Sequence, residues 1–209
     1  MPTFSYNVNL SIGGVNIARG VPRSGDHPNP YEITLPAGKA GTLSTRTDND
    51  TGVATVASGH GITTSDLVDV YWSGGMRYGM SVTATTSTTI SVDAGAGDNF
   101  PVAATAIVVT KQVSVNTAID GDSIQVIGIL AEYATNPSPA VMSHVHFQSS
   151  APATIAEIDL TSNVPQVWDI AGGATNPFTG NPIVVCKASN GSGTDAATLK
   201  IVSLEDSTP

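Results

Sequence analysis

The chain has 209 residues, of which 40% are hydrophobic and only 12% are charged, and its formal net charge is -9. This length suits one large all-β domain or two small ones, and so low a charged fraction argues against an intrinsically disordered chain. Lys and Arg form no cluster. Nucleic acid and anionic membrane surfaces are therefore set aside as partners, because binding to either needs such a cluster.

Helix-forming patterns are nearly absent from the sequence. Its 21 glycines and 13 prolines interrupt any long helical period, and its Thr, Val and Ile favour strands. The N-terminus has neither the basic region nor the apolar run of a signal peptide. No window approaches the ~18 apolar residues of a transmembrane helix. We expect an all-β protein that is made in a reducing compartment and does not enter a membrane.

Residues 1–49 are predicted to form a β-hairpin and a proline-rich loop that belong to a larger sandwich. Apolar and polar residues alternate strictly over 4–12, as in a half-buried antiparallel strand. Glycines at 13–14 predict the hairpin turn. The loop PRSGDHPNP, residues 22–30, ends this hairpin, and the short strands YEITLP and TLSTRT follow it.

Residues 50–112 are predicted to form a small five-stranded barrel. Short alternating runs are separated here by Gly, Ser or Asp turns, and five of them in about sixty residues suit a closed barrel. The predicted strands are VATVAS, LVDVYW, RYGMSVTAT, TTISVD and AIVVTKQ.

Residues 113–209 are predicted to form a jelly-roll-like β-sandwich, to which the barrel is joined or into which it is inserted. Seven candidate strands follow one another with regular turn signals. They are SVNT, SIQVIGILAEYA, VMSHVHFQS, TIAEIDLT, VPQVWDIA, PIVVCKAS and ATLKIVSL. The single cysteine, Cys186, lies in an apolar run and is interpreted as a core residue, since it lacks the cationic neighbours of a reactive thiol.

The Gly59-His60-Gly61 corner has a catalytic and a structural interpretation. A catalytic base needs a nucleophile or an orienting acid, and no nucleophile motif accompanies Asp66 or Asp69. Glycines on both sides of His60 supply the backbone freedom of a tight corner. The structural interpretation is therefore favoured, with His60 packing or capping between the two glycines.

The segment GHGITTSDLVDVYWSGGMRYGMSVTATTSTTISVD resembles a module of tailed-phage tail, fibre and virion proteins. In that pattern a GHG corner and an Asp-x-Val pair precede a strand, a glycine-rich turn and a threonine-rich hairpin. The matching residues are Gly59, His60, Gly61, Asp66 and Val68, and Ser65 stands where the pattern often has glycine. The resemblance covers roughly residues 50–110, about a third of the chain, and implies a scaffold role rather than an activity.

His144 and His146 are weak candidate metal ligands. They lie two residues apart, so a strand places them on one face. Zinc needs a third ligand, for which Glu157 and Asp159 are candidates that the sequence alone does not place. The simpler interpretation is a polar strand face, so no metal and no cofactor are expected. The acidic turns at 48–52, 93–99 and 120–122 are weak calcium candidates, since none matches the twelve-residue EF-hand loop, and the turn at 48–52 is interpreted as a plain Asx turn.

The sequence predicts a protein that is not an enzyme. It contains neither the G-x-S-x-G elbow nor a phosphate-binding P-loop, so a hydrolase without a motif is the least favoured alternative. A glycan-binding adhesion module remains an alternative and would use exposed aromatic residues. Trp72, Tyr71 and Tyr78 are its candidates, although Trp72 ends a strand pattern and is interpreted as a core residue.

The function predicted from these features is capsid decoration: a cement protein of a tailed-phage virion, assembled in the host cytoplasm. We expect a homotrimer that contacts the major capsid protein through stiff, partly apolar loops, which lose little entropy on docking. A tail, neck or fibre-base component is the alternative within the virion. The predicted contact residues are Pro22, His27, Pro28, Pro30, Tyr31 and an exposed Phe178.

Overall fold

The computed structural model describes residues 4–6, 10–12, 15–17, 23–25, 27–96, 100–135, 142–149, 154–170, 173–178 and 183–205. Every helix or strand within these ranges is a β-strand, so the predicted all-β class is confirmed. The chain divides into two compact units. The jelly-roll unit comprises Met1–Thr34, Ser114–Lys187 and Thr198–Pro209, and the barrel unit comprises Leu35–Val113 and Ala188–Ala197.

The strands in chain order are β1 (Phe4–Tyr6), β2 (Leu10–Ile12), β3 (Val15–Ile17), β4 (Arg23–Gly25), β5 (His27–Leu35), β6 (Lys39–Arg46), β7 (Thr51–Val56), β8 (Leu67–Trp72), β9 (Gly75–Thr85), β10 (Thr89–Asp93), β11 (Ala106–Lys111), β12 (Val113–Ile119), β13 (Ile124–Tyr133), β14 (Met142–Gln148), β15 (Thr154–Thr161), β16 (Gln166–Asp169), β17 (Ile183–Asn190) and β18 (Ala197–Glu205).

In the barrel unit, six of the described strands close into an antiparallel barrel. Going round it, β6 pairs with β7, β7 with β10, β10 with β9, β9 with β8, β8 with β11, and β11 with β6. The sequence predicted five of these strands. The sixth, β6, was assigned to the N-terminal region because Leu43 is the single large apolar residue in it. Leu43 is fully buried and brings β6 into the barrel core.

Alternation along the barrel strands places the apolar side chains inside. Val68 and Val70 of β8, for example, are fully buried, as are Ile90 and Val92 of β10. A barrel has no open sheet edge, because its first and last strands pair with each other. The remaining members of this core are Leu43, Ala54, Val56, Ile62, Met80, Val82, Phe100, Ile107 and Val109.

In the jelly-roll unit, the described strands include two four-stranded sheets with the orders β16-β13-β18-β5 and β12-β17-β14-β15. If β5 and β12 to β18 are lettered B to I in chain order, the two sheets read G-D-I-B and C-H-E-F. This is the strand pairing of a jelly roll. The barrel lies in the connection between the first two lettered strands, so the second part of the prediction, a jelly-roll-like sandwich, is also confirmed.

The inner faces of the two sheets carry the core of this unit. Tyr133 of β13 and Ser143 of β14 are both buried, and their hydroxyl oxygens lie 3.0 Å apart, which joins one sheet to the other. Ile127 and Ile129 of β13 and Ile201 of β18 are also buried. Two further two-stranded sheets, β1-β4 and β2-β3, are formed by the described N-terminal residues, and the second contains the predicted hairpin.

The prediction of a proline-rich loop at 22–30 is wrong for most of these residues. Residues 23–25 form β4, and residues 27–30 begin β5; Pro22 lies outside the described residues. Pro28 and Pro30 fit a strand here because β5 is the last of the described strands in its sheet. A proline cannot donate a hydrogen bond, and an edge strand leaves one side of its backbone without a neighbouring strand.

Candidate metal centre

Two histidines of β14 stand opposite two carboxylates of β15. The antiparallel register pairs His144 with Asp159 and His146 with Glu157. Side chains alternate between the faces of a strand, so these four lie together on one face of the sheet. Val145, between the histidines, points to the other face and is fully buried. The strand pairing alone therefore builds the cluster, which we call the His–carboxylate cluster.

The histidines of this cluster lie within the protein and the carboxylates lie at its surface. The side chain of His144 is 2% exposed and that of His146 is 12% exposed, against 51% for Glu157 and 42% for Asp159. The imidazole ring centroids are 4.2 Å apart, with the rings inclined at 79°. The rings are thus held by strand backbone and by packing, whereas the carboxylates can adjust.

Each histidine has a carboxylate beside its Nδ1 atom. His144 Nδ1 lies 2.5 Å from Asp159 Oδ1, and His146 Nδ1 lies 3.4 Å from Glu157 Oε1. An ionised carboxylate only accepts hydrogen bonds, so His144 is the donor to Asp159. In a neutral imidazole, this contact leaves Nε2 as the ring nitrogen that can bind a metal ion.

The third ligand that the sequence left open is Glu157. One ligand atom each from His144, His146 and Glu157 lies within 4.8 Å of the others. Imidazole nitrogen and carboxylate oxygen are both zinc ligands in proteins. Asp159 accepts a hydrogen bond from His144 in the manner of carboxylates that orient metal-bound imidazoles. The register of β14 with β15 is what the sequence did not give, and it decides which acidic residues meet the histidines.

The Gly-His-Gly corner has the structural role that the sequence favoured. Gly59 and Gly61 have φ values of 78° and 71°, a region that side chains rarely adopt. His60 between them is buried. Its Nε2 lies 2.8 Å from the carbonyl oxygen of Thr86, and its Nδ1 accepts a hydrogen bond of 3.0 Å from the amide of Ile62. His60 therefore fixes the corner of the barrel with both ring nitrogens.

Asp66 completes the same corner. Its carboxylate accepts hydrogen bonds from the Thr63 amide at 2.7 Å and the Thr63 hydroxyl at 3.0 Å. It also forms an ion pair of 2.9 Å with Lys111 of β11. Burial raises the pKa of the Asp66 carboxyl, but the hydrogen bonds from Lys111 and Thr63 and the charge of Lys111 outweigh burial. The pKa lies below its ordinary 3.8 as a result.

The predicted contact residues do not form one loop. His27, Pro28 and Pro30 lie on the edge strand β5. Tyr31 of the same strand is half-buried, on the strand face that also carries the buried Ile33. These residues remain predictions as contacts, but as members of a strand edge rather than of a stiff loop.

The expectation that Phe178 is exposed is wrong. Its side chain is fully buried, and its ring packs edge-to-face on Phe147 with a centroid distance of 5.2 Å. The reason is the turn before it. Asn176 accepts a hydrogen bond from the Phe178 amide and donates one to the Gly121 carbonyl, and this directs the aromatic ring into the core. Phe178 is a core residue rather than a docking residue.

The aromatic candidates for a glycan platform belong to the barrel. Tyr71 is 7% exposed. Trp72 packs against the barrel core, with Phe100 edge-to-face at a centroid distance of 6.4 Å. Tyr78 is half-buried and packs on Tyr71 at 6.2 Å. Sugars stack on open aromatic faces, and this group presents little of that surface.

The acidic turns use carboxylates to hold their own backbone. Asp48 accepts hydrogen bonds from the amides of Asp50 and Thr51 at 2.8 and 2.7 Å. Asp93 accepts a hydrogen bond from the amide of Gly95 at 2.7 Å, and Asp120 accepts one from the amide of Asp122 at 3.1 Å. This is Asx-turn geometry, which the sequence predicted for residues 48–52.

The barrel unit contains a buried carboxylate whose burial the sequence analysis did not predict. Asp69 is fully buried in β8. Its oxygens accept hydrogen bonds from the amide of Gly79 at 2.7 Å, from the side chain of Gln112 at 2.8 Å and from the hydroxyl of Ser189. The Tyr71 hydroxyl lies 2.5 Å from the same Ser189 hydroxyl. The available signal was an aspartate with valine on both sides in an apolar run.

Comparisons with known proteins do not assign the chain to a family. No protein-family model matches it, and no curated protein is significantly similar to it in sequence. The crystal structure of the Yersinia pseudotuberculosis-derived mitogen is one similar solved structure, at 9% identity and a TM-score of 0.23. The likeness covers 47% of this chain and 88% of the mitogen, and at that TM-score it carries no argument. Among the described residues, no helix is long and apolar enough to cross a membrane.

Proposed function

We propose that this chain is a non-enzymatic structural protein of a tailed-phage virion, acting as a capsid decoration (cement) protein. The observation that carries the proposal is the jelly-roll strand order, β16-β13-β18-β5 against β12-β17-β14-β15. Jelly rolls recur in viral capsid proteins, although they also occur in lectins and other proteins. A fold alone does not define a function, so the proposal also rests on the barrel and on the surface.

The barrel supports a virion role through its sequence pattern. The Gly59–Gly61 corner and Asp66 carry the resemblance to phage tail, fibre and virion modules, and in this protein they hold a barrel corner through hydrogen bonds. Both ring nitrogens of His60 form hydrogen bonds, one with the carbonyl of Thr86 and one with the amide of Ile62. A histidine used in this way positions backbone, which suits a scaffold.

The surface supports repeated packing of copies. With only 12% charged residues, most of the surface can pack without burying a charge, and physiological salt screens the net charge of -9 between neighbouring copies. The proposed capsid contact is the outer edge of β5, which includes His27, Pro28 and Pro30. Prolines there prevent uncontrolled strand pairing and keep the edge stiff, so that docking costs little entropy. Modest contacts at many copies of a shell then add by avidity.

Sedimentation with capsids tests this role. The purified protein is sized by light scattering and then mixed with decoration-free capsids of the parent particle. A trimer that co-sediments with the capsids at a fixed ratio supports the proposal. Rings or tubes that do not bind capsids overturn it in favour of a tail component, and a monomer without capsid binding overturns any virion assembly role.

A pair of substitutions tests the proposed contact edge. Pro30→Asp places a charge on the edge of β5 and should weaken co-sedimentation about tenfold or more, as expected for a charge buried unpaired in an interface. Ser81→Asp, at an exposed position of β9 in the barrel unit, is the matched control and should leave co-sedimentation unchanged. Equal effects of the two substitutions would contradict the assignment of the contact to β5.

A further inference from the structure

We propose that the His–carboxylate cluster binds one zinc-class divalent metal ion, with His144, His146 and Glu157 as ligands and Asp159 as the residue that orients His144. This inference does not depend on the proposed function, since it rests on four side chains of one strand pair. It assigns to the outer face of the β14–β15 pair a site that binds a metal ion.

The donor set matches the chemistry of zinc. Two imidazoles and a carboxylate are a ligand combination that tetrahedral zinc sites use. Calcium and magnesium prefer oxygen ligands throughout, and imidazole suits zinc, copper and nickel. Three ligands from the chain leave a fourth position. Because Glu157 and Asp159 are about half exposed, that position faces solvent and accepts water or a group from a neighbouring molecule.

The spacing is close to that of a bound site. Ligand atoms held at 2.0–2.1 Å from a tetrahedral zinc ion lie about 3.3–3.4 Å apart, whereas the three candidate atoms lie within 4.8 Å of one another. The difference is of the order of an ångström. Small side-chain rotations can supply it, and the Glu157 side chain has the most freedom for this, since it is 51% exposed and has three rotatable bonds.

Asp159 gives the site its second layer. His144 Nδ1 lies 2.5 Å from Asp159 Oδ1, and this contact orients the imidazole ring. Metal-binding histidines commonly make this contact with a carboxylate, and losing it typically weakens metal binding 10–100-fold.

Two cross-strand His–carboxylate contacts without a metal ion are the competing explanation. They account for the pairing of each histidine with its own carboxylate. A shared divalent ion also accounts for the convergence of both histidines, with ring centroids 4.2 Å apart, on Glu157. It would also tie the edge strand β15 to its neighbour β14.

Titration of the full-length protein with zinc chloride tests the site. The protein is first treated with a chelator and dialysed. Calorimetry should then show one ion per chain, and cobalt(II) should give the intense visible absorption of a tetrahedral site. Zinc should also raise the melting temperature. Absence of stoichiometric binding of either ion would overturn the proposal.

Four variants locate the binding. Glu157→Gln changes an exposed residue and should keep the fold, yet it should weaken zinc binding at least tenfold and abolish the cobalt spectrum. His146→Asn should do the same, and Asp159→Asn should weaken binding by about tenfold or more. Glu32→Gln is the control, because Glu32 is an exposed carboxylate of β5 that pairs with Lys200. Binding that survives Glu157→Gln and His146→Asn undiminished would contradict the assignment.

Discussion

His60 and Thr86 are 26 residues apart in the sequence, and the Nε2 atom of His60 lies 2.8 Å from the carbonyl oxygen of Thr86. The other ring nitrogen accepts a hydrogen bond from the amide of Ile62. One side chain thus joins the corner before β8 to the turn between β9 and β10. The most conspicuous histidine of the sequence is a structural tie between two loops of the barrel, and its substitution should affect stability.

We expect His60→Ala to lower the free energy of unfolding of the barrel unit by about 1–3 kcal/mol, because it removes two hydrogen bonds and leaves the amide of the buried Ile62 without its acceptor. Urea denaturation followed by Trp72 fluorescence measures this, in a Trp168→Phe background so that Trp72 is the single tryptophan. Thr64→Ala, at an exposed position of the same corner, is the control and should change the midpoint little. Equal midpoints for all three proteins would contradict the structural role.

Asp66 should make the stability of the barrel unit depend on pH. Its pKa is lowered in the folded state, so its contribution is fully present above the ordinary value of 3.8 and is lost as the pH falls through the lower folded value. Asp66→Asn should cost about 1 kcal/mol at neutral pH. The gap between wild type and variant in urea midpoint should be smaller at about pH 3 than at about pH 7. A gap that widens on acidification would contradict this.

Asp69 should be the most sensitive polar residue of the barrel. Asp69→Ala removes the acceptor for three donors, including Gln112 and Ser189, and should destabilise the barrel unit by about 2–4 kcal/mol. The same Trp72 fluorescence measurement applies. Asp93→Ala, which removes a carboxylate from a turn, is the matched control and should cost less than half as much. A smaller loss for Asp69→Ala than for the control would refute the role of the buried network.

The fold was predictable where alternation was strong. In runs such as TISVD, the buried Ile90 and Val92 alternate with partly exposed neighbours, so the pattern shows the buried face directly. The barrel strands after residue 50 were therefore found in order. Strand β6 was misplaced because its neighbours Ala40, Gly41 and Thr42 carry too little apolar surface to show which core it faces. The start of β5 was missed because prolines usually indicate a loop, and edge position is a property of the sheet rather than of the segment.

The histidine pair of the candidate site was predictable from the sequence, but the carboxylates opposite it were not. The spacing of His144 and His146 gives a shared strand face, because side-chain period two is local. Which carboxylate stands opposite each histidine depends on the register with β15, and a slip of one residue would have removed Glu157 and Asp159 from that face. The burial of Phe178 was also not predictable from local sequence. It depends on a turn that Asn176 holds by a hydrogen bond to the carbonyl of Gly121, which is distant in sequence.

Phe178→Ala should destabilise the jelly-roll unit by about 3–5 kcal/mol, as expected for truncating a fully buried aromatic ring. The loss includes the edge-to-face contact with Phe147. Thermal unfolding followed by circular dichroism measures it, and Val164→Ala, at a side chain that is 45% exposed, is the control. Unchanged stability with weakened capsid binding would restore the original expectation that Phe178 is a surface contact.

Cys186 offers a direct report on the opening of the jelly-roll unit. Its side chain is fully buried in β17, and burial raises the pKa of the thiol to about 12. The reactive thiolate is therefore scarce at neutral pH, and the sulfur is also inaccessible. We expect a thiol reagent to leave the native protein unlabelled, and to modify one cysteine per chain in concentrated urea. In intermediate urea the labelling should follow the unfolding of this unit and should be accelerated by Phe178→Ala. Rapid labelling of the native chain would instead indicate a reactive thiol and would remove Cys186 from the core.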